Sequence, residues 1–143
     1  MRKAFIKLFI QFHTFFYKLT GGRFGSKMGE NKILLLTTKG RKSGLERTTP
    51  LVYIDHEGGY LIIASNGGQA KHPDWYINLK SDPQVSIQIK DQTFNAKAQV
   101  LNGETRTPVW ERIVAEAPQY GEYEKRTDRL IPVVWLTPTR PLN

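Results

Sequence analysis

The sequence predicts a mainly β protein with peripheral helices (α+β), an antiparallel barrel of about six strands preceded by an amphipathic helix. Three observations predict it. Between residues 33 and 136 the runs rich in Val, Ile, Thr, Tyr and Phe are short, and Gly, Pro, Asn and Asp separate them at the spacing of hairpin-joined strands. Two of these runs alternate strictly between apolar and polar residues, the signature of strands with one buried face. Strands do not alternate with long helical patterns, as a parallel sheet would require.

From Lys3 to Leu19, the residues Phe5, Ile6, Leu8, Phe9, Phe12, Phe15, Phe16 and Leu19 recur at three- and four-residue steps and mark a helix face. Arg2, Lys3, Lys7 and Lys18 fall on its other side. Such a helix either caps its own barrel or lies on an anionic lipid surface, so residues 1–20 are the candidate for peripheral membrane contact. Residues 1–29 are read as this helix and a flexible glycine-rich loop, and residues 30–143 as the barrel domain.

Strands are predicted at residues 33–38, 47–56 and 60–65, the last two joined into a hairpin by Glu57-Gly58-Gly59. His72-Pro73-Asp74-Trp75 then places Pro at the first position of a short helix, with Trp75 and Leu79 on one face and Ser81-Asp82-Pro83 as its end. Val85, Ile87 and Ile89 alternate with polar residues. After an Asp91-Gln92 turn, Phe94, Ala96, Ala98 and Val100 repeat the pattern, which predicts a second hairpin. A helix around Val109, Trp110, Ile113 and Val114 follows, then a Tyr-rich segment at 120–123. The last predicted strand covers 130–136, and Pro132 within it implies an edge position or a bulge.

A chain of 143 residues is the size of one domain and buries about 68% of its unfolded surface. Its 39% apolar and 24% charged residues are ordinary for a soluble globular protein, and no window offers the ~20 apolar residues of a spanning helix. The absence of cysteine excludes disulfides, thiolate nucleophiles, iron–sulfur clusters and thiolate zinc sites. The three histidines, His13, His56 and His72, are far apart, G-x-S-x-G is absent, and no metal site is expected. Gly21 to Lys27 misses the P-loop spacing, and there is no G-x-G-x-x-G. The N-terminal segment has early positive charge, but Lys7, Gln11 and His13 interrupt its apolar run and no small-residue cleavage site follows before Gly21-Gly22. A cytoplasmic location, with or without membrane association, is therefore expected.

The formal charge of +8, from 21 basic and 13 acidic residues, calls for an anionic partner. Nucleic acid is not expected, because the cations gather on one hairpin rather than along a stripe and no binding motif is present. The densest signal is Lys39-Gly40-Arg41-Lys42-Ser43-Gly44, followed by Arg47-Thr48-Thr49. Glycines let backbone amides approach an anion, hydroxyls donate to it, and the forked guanidinium groups of Arg41 and Arg47 match phosphate oxygens. Alone, the same loop also reads as a solvated hairpin tip. Ile62-Ile63-Ala64-Ser65-Asn66-Gly67-Gly68 is the second signal: a buried strand runs into small residues that leave room for a flat ring, or simply exits into a loop.

Gly40-Arg41-Lys42-Ser43-Gly44, Arg47-Thr48-Thr49-Pro50-Leu51, Ala64-Ser65-Asn66-Gly67-Gly68, His72-Pro73-x-Trp75-x-x-Asn78-Leu79 and Tyr120-x-x-Tyr123 occur in that order. Together, over about residues 33–136, they resemble the deazaflavin-dependent nitroreductase family of the split β-barrel flavin/deazaflavin oxidoreductase superfamily. The resemblance implies a split β-barrel that binds coenzyme F420 (an 8-hydroxy-5-deazaflavin), with FMN as the alternative cofactor, and passes a hydride to an organic acceptor. It implies that Arg41, Lys42, Ser43 and Arg47 meet the phosphate or the tail carboxylates, and that Thr49, Pro50, Leu51 and Val52 run beside the cofactor. Ile63, Ala64, Ser65 and Asn66 would flank the ring, with Trp75 and Asn78 closing its far side. Ser65 and Tyr120 are the candidate donors to growing negative charge, and Tyr123, Ala117 and Val52 the acceptor-pocket residues.

The chain departs from the family pattern at Asn66 (Lys in the best-known members), Val52 (an aromatic) and Ala117 (Tyr). These departures weigh against nitroimidazole chemistry and leave a quinone, an enone, another nitro compound or a further hydrophobic molecule as acceptor. A second class, a split barrel that binds flavin, haem or fatty acid without catalysis, stays open at this stage. Related barrels often dimerise, and no dimer seam is visible in the sequence.

Overall fold

A computed structural model of the chain describes residues 2–22, 25–28 and 31–142. Helix α1 (Arg2–Leu19) precedes a two-residue strand β1 (Lys27–Met28), β2 (Asn31–Lys39), β3 (Glu46–His56) and β4 (Gly59–Ile63). A 3-10 turn (Asn66–Gly68), α2 (Asp74–Ser81), β5 (Gln84–Ile89) and β6 (Gln92–Val100) come next. Helices α3 (Gly103–Glu116) and α4 (Gln119–Lys125) then lead into β7 (Val133–Leu142). The strand order is β1-β2-β3-β4-β7-β6-β5, and β5 pairs back onto β2, so six long antiparallel strands close into a barrel. Closure leaves β2 to β7 without a free edge.

Alternation along each strand sorts the side chains into layers. Leu34, Leu36, Ile62, Ile87, Ala96, Val134 and Leu136 fill the barrel, and Tyr76 and Leu79 of α2 join that core. On the outside, Trp110 and Ile113 of α3 and Tyr120 of α4 cover Leu61, Ile63, Ile131 and Val133. A smaller outer cluster joins Tyr17 of α1 to Ile33 and Leu35, with Val52 packed against it.

Helix α1 packs by the face the apolar periodicity did not mark. His13 and Tyr17 are buried, whereas Ile6, Leu8, Phe9, Phe12, Phe15 and Leu19 are each more than half exposed. The reason is hydrogen bonding that no Phe can supply. The Tyr17 hydroxyl shares its proton between the carbonyls of Ile33 (3.1 Å) and Gln88 (3.2 Å) and accepts the Lys90 amide (2.8 Å). His13 Nε2 reaches the Gly25 carbonyl at 2.8 Å. The described part of the glycine-rich loop is correspondingly tied down: Gly22 donates to the Tyr17 carbonyl, and Ser26 accepts from Ile33.

Several boundaries move. The final strand begins at Val133 rather than at 130 and runs to Leu142. It is central, between β4 and β6, and Pro132 lies just before it, where its carbonyl accepts the Ala64 amide at 2.9 Å. The irregularity falls instead beside Pro138: Asn95 pairs with Arg140 and Ala96 with Pro138, which leaves one extra residue on β7. The second hairpin turns at Lys90-Asp91, with Lys90 left-handed (φ 55°) and Gln92 already paired with Ile89. Pro73 caps α2 in an extended conformation rather than opening it. Strand β4 stops at Ile63, so Ser65 sits in the turn that follows.

Candidate active site

The β2–β3 hairpin carries the basic tip, and α2 packs beside it. Asn78 of α2, only 4% exposed, is the link. Its Oδ1 accepts the Arg41 amide (3.2 Å) and the Arg41 Nη1 (2.8 Å), and its Nδ2 donates to Thr38 Oγ1 (3.4 Å). Arg41 also meets Asp74 at 3.5 Å. Arg41, expected at the phosphate or tail, and Asn78, expected at the ring, thus form one unit that fixes the tip against α2. Lys42, Ser43 and Arg47 remain exposed around it. Ser43 Oγ accepts the Leu45 amide at 3.1 Å, which leaves its own proton free to donate.

The segment 49–52 divides between two faces. Thr49 and Leu51 stand opposite the core residues Leu36 and Leu34 and share the inward face of the sheet, whereas Pro50 and Val52 stand opposite Leu35 and Ile33 on the outward face. Ile63 likewise faces outward into the α3–α4 cluster, and Ala64 inward. Trp75 is packed partly against the barrel core. Ser65, 8% exposed, and Asn66 lie in the turn after β4, and Asn66 Nδ2 donates to the Lys71 carbonyl at 3.0 Å.

On the α4 side, Tyr120 is 6% exposed, its ring 5.8 Å from that of Tyr123 in an edge-to-face pair, and Ala117 packs in the same cluster. The 3-10 turn after Ser65 abuts α4 through Gly68, where a Cβ would come 2.8 Å from the Tyr123 carbonyl. The structure therefore brings Arg41 together with Asn78 at the tip, and Ala117 together with Tyr120 and Tyr123 around α4, which the turn after Ser65 meets through Gly68; Val52 lies apart, against the α1 cluster. Burial, and to a lesser degree Tyr123, pushes the Tyr120 phenol up to about 12. It is a proton donor throughout the neutral and moderately alkaline range.

A stability test follows from that shift. The folded form holds the phenolic proton more tightly than the unfolded form, so the Tyr120 contribution is complete below about pH 10 and is lost as the pH climbs towards 12. Melts of wild type and Tyr120→Phe from pH 8 to 11.5 should show a stability gap that narrows above about pH 10. A gap independent of pH would mean that the phenol is solvated.

Two residues without a predicted role stand out. Arg129 reaches the carbonyls of Ala64, Ser65 and Gln69 and the His72 ring, and Thr38 receives the Asn78 amide. Thr38 ends a predicted strand and gives no sign of its partner, and a lone Arg in a loop gives no sequence signal. Among the described residues no group of three or more His, Asp or Glu is placed to hold a metal ion. Open cavities of about 670 and 680 Å³ contain none of the predicted cofactor or acceptor residues. The second of them, beside the tip, is lined by Glu46 and Asp82 against a single cation, Lys39, a balance poorly suited to a polyanion. The exposed donors of the tip do fit one: among the described residues no carboxylate pairs with Lys42 or Arg47, and Ser43 Oγ accepts the Leu45 amide and can donate its own proton.

A closed antiparallel barrel with a basic hairpin tip, and with buried hydroxyls where β4 meets α4, has the form of a split-barrel oxidoreductase of the flavin and deazaflavin type. The profile of the F420H(2)-dependent quinone reductase family matches residues 9–138. The F420H(2)-dependent quinone reductase Rv1261c of Mycobacterium tuberculosis (strain ATCC 25618 / H37Rv) is 39% identical over 133 residues, which span 90% of this chain and 89% of that protein. The solved F420-H2 dependent reductase FDR-A is 45% identical with a TM-score of 0.66, over 73% of this chain and 92% of that one. A second solved structure, described as a domain-swapped dimer, is 36% identical with a TM-score of 0.70, over 95% of this chain and 99% of that one. The chain belongs to the F420H(2)-dependent quinone reductase family, and it is an oxidoreductase that works with coenzyme F420.

Proposed function

We propose that this protein reduces a lipid-borne quinone, with Ser65 and Tyr120 donating hydrogen bonds to the acceptor oxygen as negative charge grows on it. The observation that carries this reading is the buried Tyr120 phenol, kept protonated on α4, the helix that the turn after Ser65 meets through Gly68. When bound, coenzyme F420 supplies a two-electron hydride donor. Lys42, Arg47 and the Ser43 hydroxyl hold its phosphodiester and tail carboxylates, while the Arg41–Asn78 pair keeps the tip in place. Thr49 to Leu51, Ile63 to Asn66 and Trp75 border the ring, and Tyr123 and Ala117, which share one cluster, shape the acceptor pocket and exclude water, whereas Val52 is packed against the α1 cluster and stands apart from them.

The outward stripe of α1 supports the lipid source of the acceptor. Leu8, Phe12, Phe15 and Leu19 form one exposed apolar line, flanked by Lys7 and Lys18, and the helix contains no acidic residue. That charge pattern suits an anionic bilayer surface, where the stripe would lie in the interface; no helix among the described residues is long and apolar enough to cross. A second copy of the chain, swapped as in the 36% identical neighbour, is the competing occupant.

Oxidation of reduced F420 is followed with a soluble short-chain quinone and with a long-chain quinone in vesicles containing phosphatidylglycerol. Phe12→Ser/Phe15→Ser should leave the soluble reaction intact and slow the vesicle reaction by about tenfold or more, from the lost apolar burial. Equal rates on vesicles would remove the lipid contact, and a doubled mass without vesicle binding would assign the stripe to a second copy. Failure to oxidise reduced F420 with either quinone, alongside turnover of enones or nitro compounds, would replace the acceptor.

A further inference from the structure

We propose that Arg129 is the positioning residue for Ser65, fixing the turn from which that hydroxyl acts; the inference rests on the reading of Ser65 as a donor to the acceptor. Arg129 stands in the segment that links α4 to β7. Its Nη2 donates to the Ser65 carbonyl (2.7 Å), its Nη1 to the Ala64 carbonyl (3.2 Å) and His72 Nδ1 (3.0 Å), and its Nε to the Gln69 carbonyl (2.9 Å). Among the described residues no carboxylate pairs with it. The guanidinium fork is spent on one loop, whose two ends it holds together.

That loop needs holding. Ser65 leaves the strand in the helical region (φ −74°, ψ −33°), and Asn66, Gly67 and Gly68 follow with φ of 48°, 64° and 81°. Three successive left-handed residues, one of them not glycine, form a turn with little preference of its own. On the other side Gly68 is pressed against α4, where a Cβ would also come 3.0 Å from Arg126. Arg129 and α4 thus clamp the turn from two directions and give Ser65 a fixed place relative to α4. His72 completes the clamp: its ring rests on Tyr76 (centroids 4.9 Å apart), and burial together with the charges of Arg129 and Lys80 lowers its pKa. The shift favours the neutral imidazole, the form that accepts from Arg129.

The test is a double-mutant cycle of Ser65→Ala and Arg129→Gln, reading kcat and KM for a soluble quinone, the F420 dissociation constant and the melting temperature. Each single change should lower kcat by about ten- to a hundredfold, the cost of losing or misplacing one transition-state donor. In the Ser65→Ala background, Arg129→Gln should cost less than about twofold more, because the group it positions is gone. Arg129→Lys keeps the charge without the fork and should resemble Arg129→Gln in kcat while melting close to wild type; if the glutamine variant does not fold, the lysine variant carries the cycle. Equal losses in both backgrounds would make Arg129 a general structural residue. A normal kcat for the Arg129 variants beside a slow Ser65→Ala would remove the positioning role alone. A normal kcat for Ser65→Ala would remove the Ser65 reading, and this inference with it.

Discussion

Replacing Lys42 and Arg47 together by Ala should raise the dissociation constant of coenzyme F420 by about a hundredfold at low salt, the loss of two charge-assisted hydrogen bonds discounted for exposure. Both side chains project from the hairpin tip, so the melting temperature should hardly change. The wild-type affinity should itself fall with added salt, since a Debye length of about 8 Å at physiological ionic strength screens exposed charges, and the variant should have lost most of that dependence. Arg41→Ala is a different experiment. Arg41 is tied to Asn78 by its amide and its guanidinium, so removing the side chain also frees the tip from α2, and affinity and stability should fall together. Fluorescence titration at two salt concentrations measures both; an unchanged affinity in the double variant would move the phosphate away from the tip.

A large loss of stability is expected at Gly59. This residue opens β4, where it pairs with His56, and a Cβ there would press on the Leu136 carbonyl oxygen and come 2.9 Å from Trp135 Nε1. Trp135 Nε1 donates to the His56 carbonyl at 3.1 Å, so the intrusion strikes the contact between the β3–β4 hairpin and β7. Gly59→Ala should cost about 3 kcal/mol or more, as overpacking against backbone does. That is a fall of about 10 °C in melting temperature for a domain of this size. Gly58→Ala is the control: it has φ of 78°, but no atom within 4 Å of a Cβ, and strains only the turn. A Gly59→Ala protein as stable as that control would mean that β4 and β7 separate more easily than their pairing implies.

The strands that alternate were legible, because a barrel wall with one filled face imposes period two on sequence. β5 and β6 fall where Val85, Ile87, Ile89 and Phe94, Ala96, Ala98, Val100 place them, within a residue or two. β7 was cut short because three prolines lie in or beside it; a bulge and an extended entry absorb Pro138 and Pro132, and neither device leaves a pattern. Strand β1 has two residues, too few for any period. The direction of α1 was hidden for a deeper reason: hydrophobic periodicity finds the apolar face but does not say what faces it, and here a tyrosine hydroxyl takes the barrel side while six apolar residues stay exposed. In the site, the basic tip and the small residues after β4 were visible as composition. The Arg41–Asn78 pairing and Arg129 were not, because both join segments more than 30 residues apart through single side chains.

Tyr17 has one more consequence. The two carbonyls within reach of its hydroxyl belong to β2 and β5, the strands whose pairing closes the barrel, so α1 is riveted across the closing seam. Such a helix is no pliable tether. It cannot swing away without unfastening the rivet, so a surface that receives α1 receives the barrel in one orientation. The height of the hydride-transfer site above that surface is then a dimension of the fold, as the throw of a crane is a dimension of its frame.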